Sequence, residues 1–196
     1  MGTPDGRWNH NIHYQRLVLR EIPDGARRAL DVGCGEGVLA RELARRVPDV
    51  VGVDRDAAQI ELARRAGGGA RYVCGDFLTA DLGPPYDLVA SIAALHHVDA
   101  VAGLRRLAPL VAPGGRLVVI GLGRREWLRD LPWDAAGFFV HRFHRWRHGL
   151  WLHSAPIADP VVTCRELRRL AAAELPGSRF RRLALFRYLL LWTKPG

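Results

Sequence analysis

At 196 residues and 48% hydrophobic, with no low-complexity tract, the chain has the size and composition of one globular domain that buries its own core. Cys34, Cys74 and Cys164 lie far apart and in no Cys-x-x-Cys spacing, which argues against a disulfide framework or zinc site and fits a reducing cytoplasm. No secretory h-region follows the polar start, no apolar run could cross a bilayer, and the net charge of +9 is uneven, with 15 Arg against 14 acidic residues in 1–120 but 13 Arg and Lys194 against 6 in 121–196.

In chain order, Trp8 to Ile22 reads as an amphipathic helix and Ala29–Val32 as a buried strand running into a Gly-rich turn. A helix over Val38–Val47 stops at Pro48. A second strand, Val50–Val53, closes at Asp54, and a helix over Ala57–Ala66 ends in three glycines. Arg71–Cys74 reads as a third strand, Tyr86–Ile92 as a fourth, Val98–Leu110 as a helix and Gly115–Ile120 as a fifth strand after Pro113-Gly114-Gly115. This alternation means right-handed βαβ units and an α/β, doubly wound, mostly parallel sheet. Residues 121–160 fit no βαβ unit and read as an insertion. A closing helix and a tight antiparallel pair, Arg179–Phe186 and Tyr188–Thr193 around Arg187, finish the chain. The expected organisation over 1–196 is one domain: a core over about 8–120, a cover over about 121–160 and a closing unit over about 161–196.

The segment Asp31-Val32-Gly33-Cys34-Gly35-Glu36-Gly37 sits where ligands bind in open parallel sheets, at the carboxyl end of a strand. A dinucleotide fingerprint would place Gly or Ala at position 38, where Val stands, and no Gly-Lys-Ser/Thr follows to make a P-loop. Asp54, at the end of the second strand, suits the two hydroxyls of a ribose. Asp76, at the end of the third within Cys74-Gly75-Asp76-Phe77, suits an adenine amino group, with Phe77 packing near the base. Each feature also has a plain structural reading: a tight turn for the glycines, helix N-caps for the two acids, a small buried filler for Cys34.

With Tyr86-Asp87-Leu88-Val89, Leu95-His96-His97 and Pro113-Gly114-Gly115, these motifs resemble, in order over residues 8–120, those of class I S-adenosylmethionine-dependent methyltransferases. The likeness points to the branch holding ubiquinone and menaquinone C-methyltransferases and small natural-product methyltransferases. It implies a seven-stranded Rossmann-like sheet in the order 3-2-1-4-5-7-6 with an antiparallel C-terminal strand, and S-adenosylmethionine as cofactor. By the same resemblance Asp31 orients the loop and the amino group, and Gly33 and Gly35 border the methionine. Asp54 then takes the ribose and Asp76 the adenine; Ser91, Ile92 and Ala93 lie beneath, and Cys34, Arg55, Gly75 and Phe77 complete the expected cofactor-binding set.

The expected chemistry is in-line methyl transfer to a small aromatic or carbonyl-bearing molecule. His96 or His97 is a candidate general base, against a plain role capping the next helix. The resemblance implies a leading helix that covers the cofactor, which makes Tyr14 and His13 candidate lid residues and Tyr14 a candidate catalytic residue, against ordinary docking on the sheet. For the aromatic, basic insertion three readings stand: a substrate cover, contact with an anionic membrane, or an RNA patch. His141, His144 and His148 share a helical spacing, but a basic face explains them better than a metal site. An RNA methyltransferase and a non-catalytic adenosylmethionine-binding partner are the alternatives. Ser91-Ile92-Ala93-Ala94, standing where an Asn-Pro-Pro-Tyr signature would sit, speaks against amino-group methylation of bases.

Overall fold

The computed structural model describes residues 9–124, 126, 137–138, 142, 146, 159–185 and 187–196. Most of the 121–160 insertion, Trp8, and the histidines at 141, 144 and 148 lie outside the described residues. Among the described residues no helix is long and apolar enough to cross a membrane.

Seven strands form one sheet in the order β3-β2-β1-β4-β5-β7-β6. They are β1 (Arg28–Val32), β2 (Asp49–Asp54), β3 (Arg71–Cys74), β4 (Tyr86–Ile92), β5 (Val111–Leu122), β6 (Arg179–Arg182) and β7 (Arg187–Thr193). The first five pair in parallel; β7 runs antiparallel to both β5 and β6. Side chains alternate across this sheet, so each inner strand feeds two cores. Leu30, Val89, Val119 and Leu190 meet α4 (Ala100–Leu110) and α5 (Cys164–Glu174) on one side. Ala29, Leu88, Val118 and Leu189 meet α1 (His10–Arg20) and α2 (Val38–Ala44) on the other. The remaining helix, α3 (Ala57–Ala66), packs on β2 and β3.

Helix starts carry the chemistry their sequences advertise. Asn9, Asp56, Asp99 and Thr163 each accept a backbone amide at the N-cap of α1, α3, α4 and α5. Thr163 and Glu166 complete a capping box.

Several boundaries differ from the sequence reading. The stretch before α4 is a short 3-10 turn, Leu95–His97, because Asp99 caps a helix that begins only at Ala100. The fifth strand starts at Val111: Val111 pairs with Tyr86, and a register shift then absorbs the Pro-Gly-Gly turn. Arg187 is not the turn of the terminal hairpin but the first residue of β7, paired with Leu122. The turn lies earlier, where the Leu183 amide donates to the Arg187 carbonyl at 2.8 Å and Leu185 takes a left-handed φ of 57°.

Candidate functional site

Strand order reverses between β1 and β4, and there a doubly wound sheet opens a crevice at the carboxyl ends of its strands. A cavity of about 810 Å³ occupies this position. Its walls are Asp31 and the Gly33–Glu36 turn above β1, Val53–Asp56 after β2, Gly75–Phe77 after β3, and Ile92–Ala94 with His96–Val98 after β4. Leu122, Leu185 and Arg187 close the far side, and α1 lies along one edge through Asn9, Asn11, Ile12 and Gln15.

The turn after β1 is held from both sides. The amides of Gly33 and Cys34 donate to the Val53 carbonyl at 2.8 and 3.0 Å, and that of Gly35 donates to Asp54 Oδ2 at 2.8 Å. Gly33 has φ +71°, and a Cβ there would overlap that of Ala94 on the turn after β4. Ala94 follows Ala93, a non-glycine residue with φ 56°, so the cavity floor contains backbone strain facing a glycine-only contact.

Asp31 is buried, and among the described residues its Oδ2 has no hydrogen-bond partner. Burial pushes its pKa up to about 7; the Ala40 backbone amide works against this, and the charge of Asp54 works with it. Asp54 also accepts the Asp56 amide on Oδ1 at 2.9 Å. Asp76 stands two residues beyond β3 rather than at its end, and its Oδ1 accepts the Leu78 amide at 2.9 Å. Neither acid is a helix N-cap; Asp56 caps α3. Cys34 borders the cavity, and burial raises its thiol pKa, so it is no thiolate nucleophile.

His96 and His97 lie against each other with ring centroids 4.2 Å apart and planes tilted by 36°, and both line the cavity. Burial, then the neighbouring charges of His97 and Arg187, lower the pKa of His96 to about 4. That of His97 is lowered by burial and by Arg55, with Asp54 opposing. Among the described residues His96 Nδ1 has no partner.

Of the sequence candidates, Asp31, Gly33, Cys34, Gly35, Asp54, Arg55, Gly75, Asp76, Phe77, Ile92, Ala93, His96 and His97 come together around this one cavity. Ser91 and Tyr14 do not. Ser91 is buried within β4, one residue short of the cavity wall. Tyr14 points off α1 toward the sheet and donates its hydroxyl to the Ala184 carbonyl at 2.8 Å, and burial raises its pKa to about 12. His13, edge-on to Tyr14, is likewise absent from the lining. The leading helix does border the cavity, but through His10, Asn11, Ile12 and Gln15 rather than through His13 or Tyr14. Asn9, Asn11, Gln15, Gln59, Leu122, Leu185 and Arg187 are lining residues that the sequence reading missed.

Residues 29–115 match the family model of a methyltransferase domain. Over 97% of its length the chain is 42% identical to an uncharacterized methyltransferase of Mycobacterium bovis, covering 99% of that protein. The chain belongs to the class I S-adenosylmethionine-dependent methyltransferases. This methyltransferase is also 28% identical over 175 residues to a ubiquinone biosynthesis O-methyltransferase of Pectobacterium carotovorum, across 79% of this chain and 73% of that one. In fold it is similar to the S-adenosylmethionine-bound amino pentose methyltransferase of Micromonospora echinaspora, with TM-score 0.66 and 20% identity over 97% of this chain and 94% of that one.

The methyltransferase's cavity suits its cofactor chemically. S-Adenosylmethionine is a dication beside a carboxylate, with no phosphates. The orphaned oxygen of Asp31 is an acceptor for a cationic amine, and the bare backbone at Gly33 and Gly35 allows close approach.

Proposed function

We propose that the methyltransferase moves the methyl group of S-adenosylmethionine to a small aromatic or carbonyl-bearing molecule by in-line displacement. The observation that carries this reading is the continuity of one cavity, from Asp54 and Asp76 past Asp31 to Leu122 and Leu185. Its volume of about 810 Å³ lies within the ~300–1,000 Å³ usual for small-molecule sites. Ile92, Leu122, Leu185 and the paired imidazoles give its far half an apolar, partly aromatic wall.

In this reading Asp31 takes the amino group, and Gly33, Cys34 and Gly35 border the methionine chain. Asp54 and Arg55 meet the ribose; Gly75, Asp76 and Phe77 meet the adenine; Ile92 and Ala93 lie beneath, and Ser91 acts only by supporting them. The sulfonium supplies an already activated methyl group, so the protein's contribution is chiefly alignment, worth about 7–11 kcal/mol in favourable cases. Neutral His96 or His97 accepts a proton from an acceptor hydroxyl or acidic carbon.

Incubation with S-adenosylmethionine and a panel of phenols and activated carbonyl compounds tests the reading. Formation of adenosylhomocysteine with stoichiometric methylated product is expected. Tight adenosylhomocysteine binding with no turnover on any acceptor would favour the non-catalytic module.

The exposed arginines support a second reading. Arg165, Arg168 and Arg169 share α5, and Arg179 and Arg181 lie on β6, where alternation with Phe180 turns them to the opposite side of the sheet. The α5 cluster suits a polyanion such as RNA, while arginines on the edge strand guard against edge-to-edge pairing. A steep fall of RNA affinity with salt would carry the RNA reading; weak, salt-flat binding removes it.

A further inference from the structure

Arg187 opens β7 opposite Leu122 and lines the cavity at only 7% exposure. Its Nη2 donates to Asn11 Oδ1 at 2.7 Å. Among the described residues its Nε has no acceptor, and no carboxylate lies within ion-pair distance of its guanidinium. Burial lowers its pKa, yet only to about 10, so it keeps its charge at neutral pH.

A buried cation with no carboxylate in ion-pair reach is costly, so a guanidinium on a cavity wall favours an anionic occupant. Asn11 fixes the guanidinium from one side and leaves the remaining fork for a planar anion. The position identifies which ligand supplies that anion. Along β1-β4-β5-β7, Arg187 stands three strands from Asp31, about 14 Å at the ~4.8 Å strand spacing. It stands four strands from Asp54 on β2. That is the side of the cavity away from the nucleoside.

We infer that Arg187 and Asn11 form a carboxylate-binding subsite for the methyl acceptor, so that the substrate is an aromatic or unsaturated carboxylic acid. This rests on the proposed division of the cavity between donor and acceptor. The guanidinium would also steady negative charge on the acceptor close to His96, whose own pKa already registers Arg187.

The test uses the full chain saturated with adenosylhomocysteine and four probe acids: benzoate, 4-hydroxybenzoate, cinnamate and hexanoate, each compared with its neutral amide by titration calorimetry or ligand-observed NMR. At least one aromatic acid should bind about tenfold or more tightly than its amide. Arg187→Met should erase that preference and leave adenosylhomocysteine affinity unchanged; Asn11→Ala, a milder surface-edge change, should reduce it even if the methionine variant does not fold. Equal binding of every acid and amide, or a preference that survives both variants, overturns the inference. So does a matching loss of adenosylhomocysteine affinity in Arg187→Met, which would assign the guanidinium to the donor's own carboxylate. Failure of adenosylhomocysteine to bind the parent protein would instead strike the donor reading itself.

Discussion

The amide of Gly35 and the carboxylate of Asp54 meet at 2.8 Å across 19 residues of chain, tying the turn after β1 to the end of β2. Because Asp54 holds the Asp56 amide with its other oxygen, one side chain positions both the Gly-rich turn and the entry to α3. Asp54→Ala should therefore do more than delete the proposed ribose contact. Charge-assisted bonds of this kind contribute about 1.5–3 kcal/mol each, so adenosylhomocysteine affinity should fall by roughly a hundredfold. Calorimetry on a variant with a normal unfolding curve checks this, and retention of parental affinity would sink the assignment.

The Gly33–Ala94 contact gives a prediction about folding rather than binding. Gly33→Ala combines a left-handed φ with overlap against Ala94, and should cost about 2–4 kcal/mol in urea denaturation. Adding Ala94→Gly should return part of that loss. Gly114→Ala, with φ +74° but no atom within 4 Å of its Cβ, should cost only the conformational part, about 1–2 kcal/mol.

Asp31 should make ligand binding release protons. Its folded-state pKa, near 7, lies above its ordinary value of 3.8. The ligand-free protein therefore holds an extra proton between those values, and the stability this lends is lost as pH rises toward 7. A cationic amine favours the ionised carboxylate, so binding expels the proton. Calorimetry near pH 7 in buffers of different ionisation enthalpy should show release of a fraction of a proton, vanishing by about pH 9 and in Asp31→Asn.

For His96 the sign is opposite. Its pKa of about 4 lies below the ordinary 6.5, so it stays neutral through the physiological range and loses function only on strong acidification. If His96 is the base, the acid limb of kcat/KM should fall near pH 4–5 rather than near 6.5. His96→Gln should lower turnover by about a hundredfold or more with little change in cofactor affinity. A limb centred on the ordinary histidine value would remove His96 from that role.

The sheet and the strand-end side of the cavity are legible in the sequence because their signals are local. Asp31, Gly33, Gly35, Asp54 and Asp76 each lie within a few residues of the carboxyl end of a strand, and strand ends follow from apolar runs and turn residues. The far side had no such grammar. Asn11 and Gln15 are ordinary polar residues until tertiary packing turns their face of α1 inward. Tyr14 drew attention as an aromatic, yet that same bulk suits it to the interior beside Val18 and Leu189. Arg187 did leave a mark, a lone charge inside the apolar run Leu183–Trp192. A charged residue between two apolar stretches usually marks a turn, but here the left-handed Leu185 shows where the chain reverses.

The walls of the cavity are drawn from distant parts of the gene product. Asp31, Asp54 and Asp76 belong to the first eighty residues and Leu122, Leu185 and Arg187 to the last eighty, yet Asn11 from the leading helix holds Arg187. On the proposed division of the cavity, recombination between relatives downstream of Leu122 would alter the guest's surroundings and keep the three carboxylates. An exchanged Arg187 would still have to meet the resident Asn11, so the leading helix and the last strands are expected to change together.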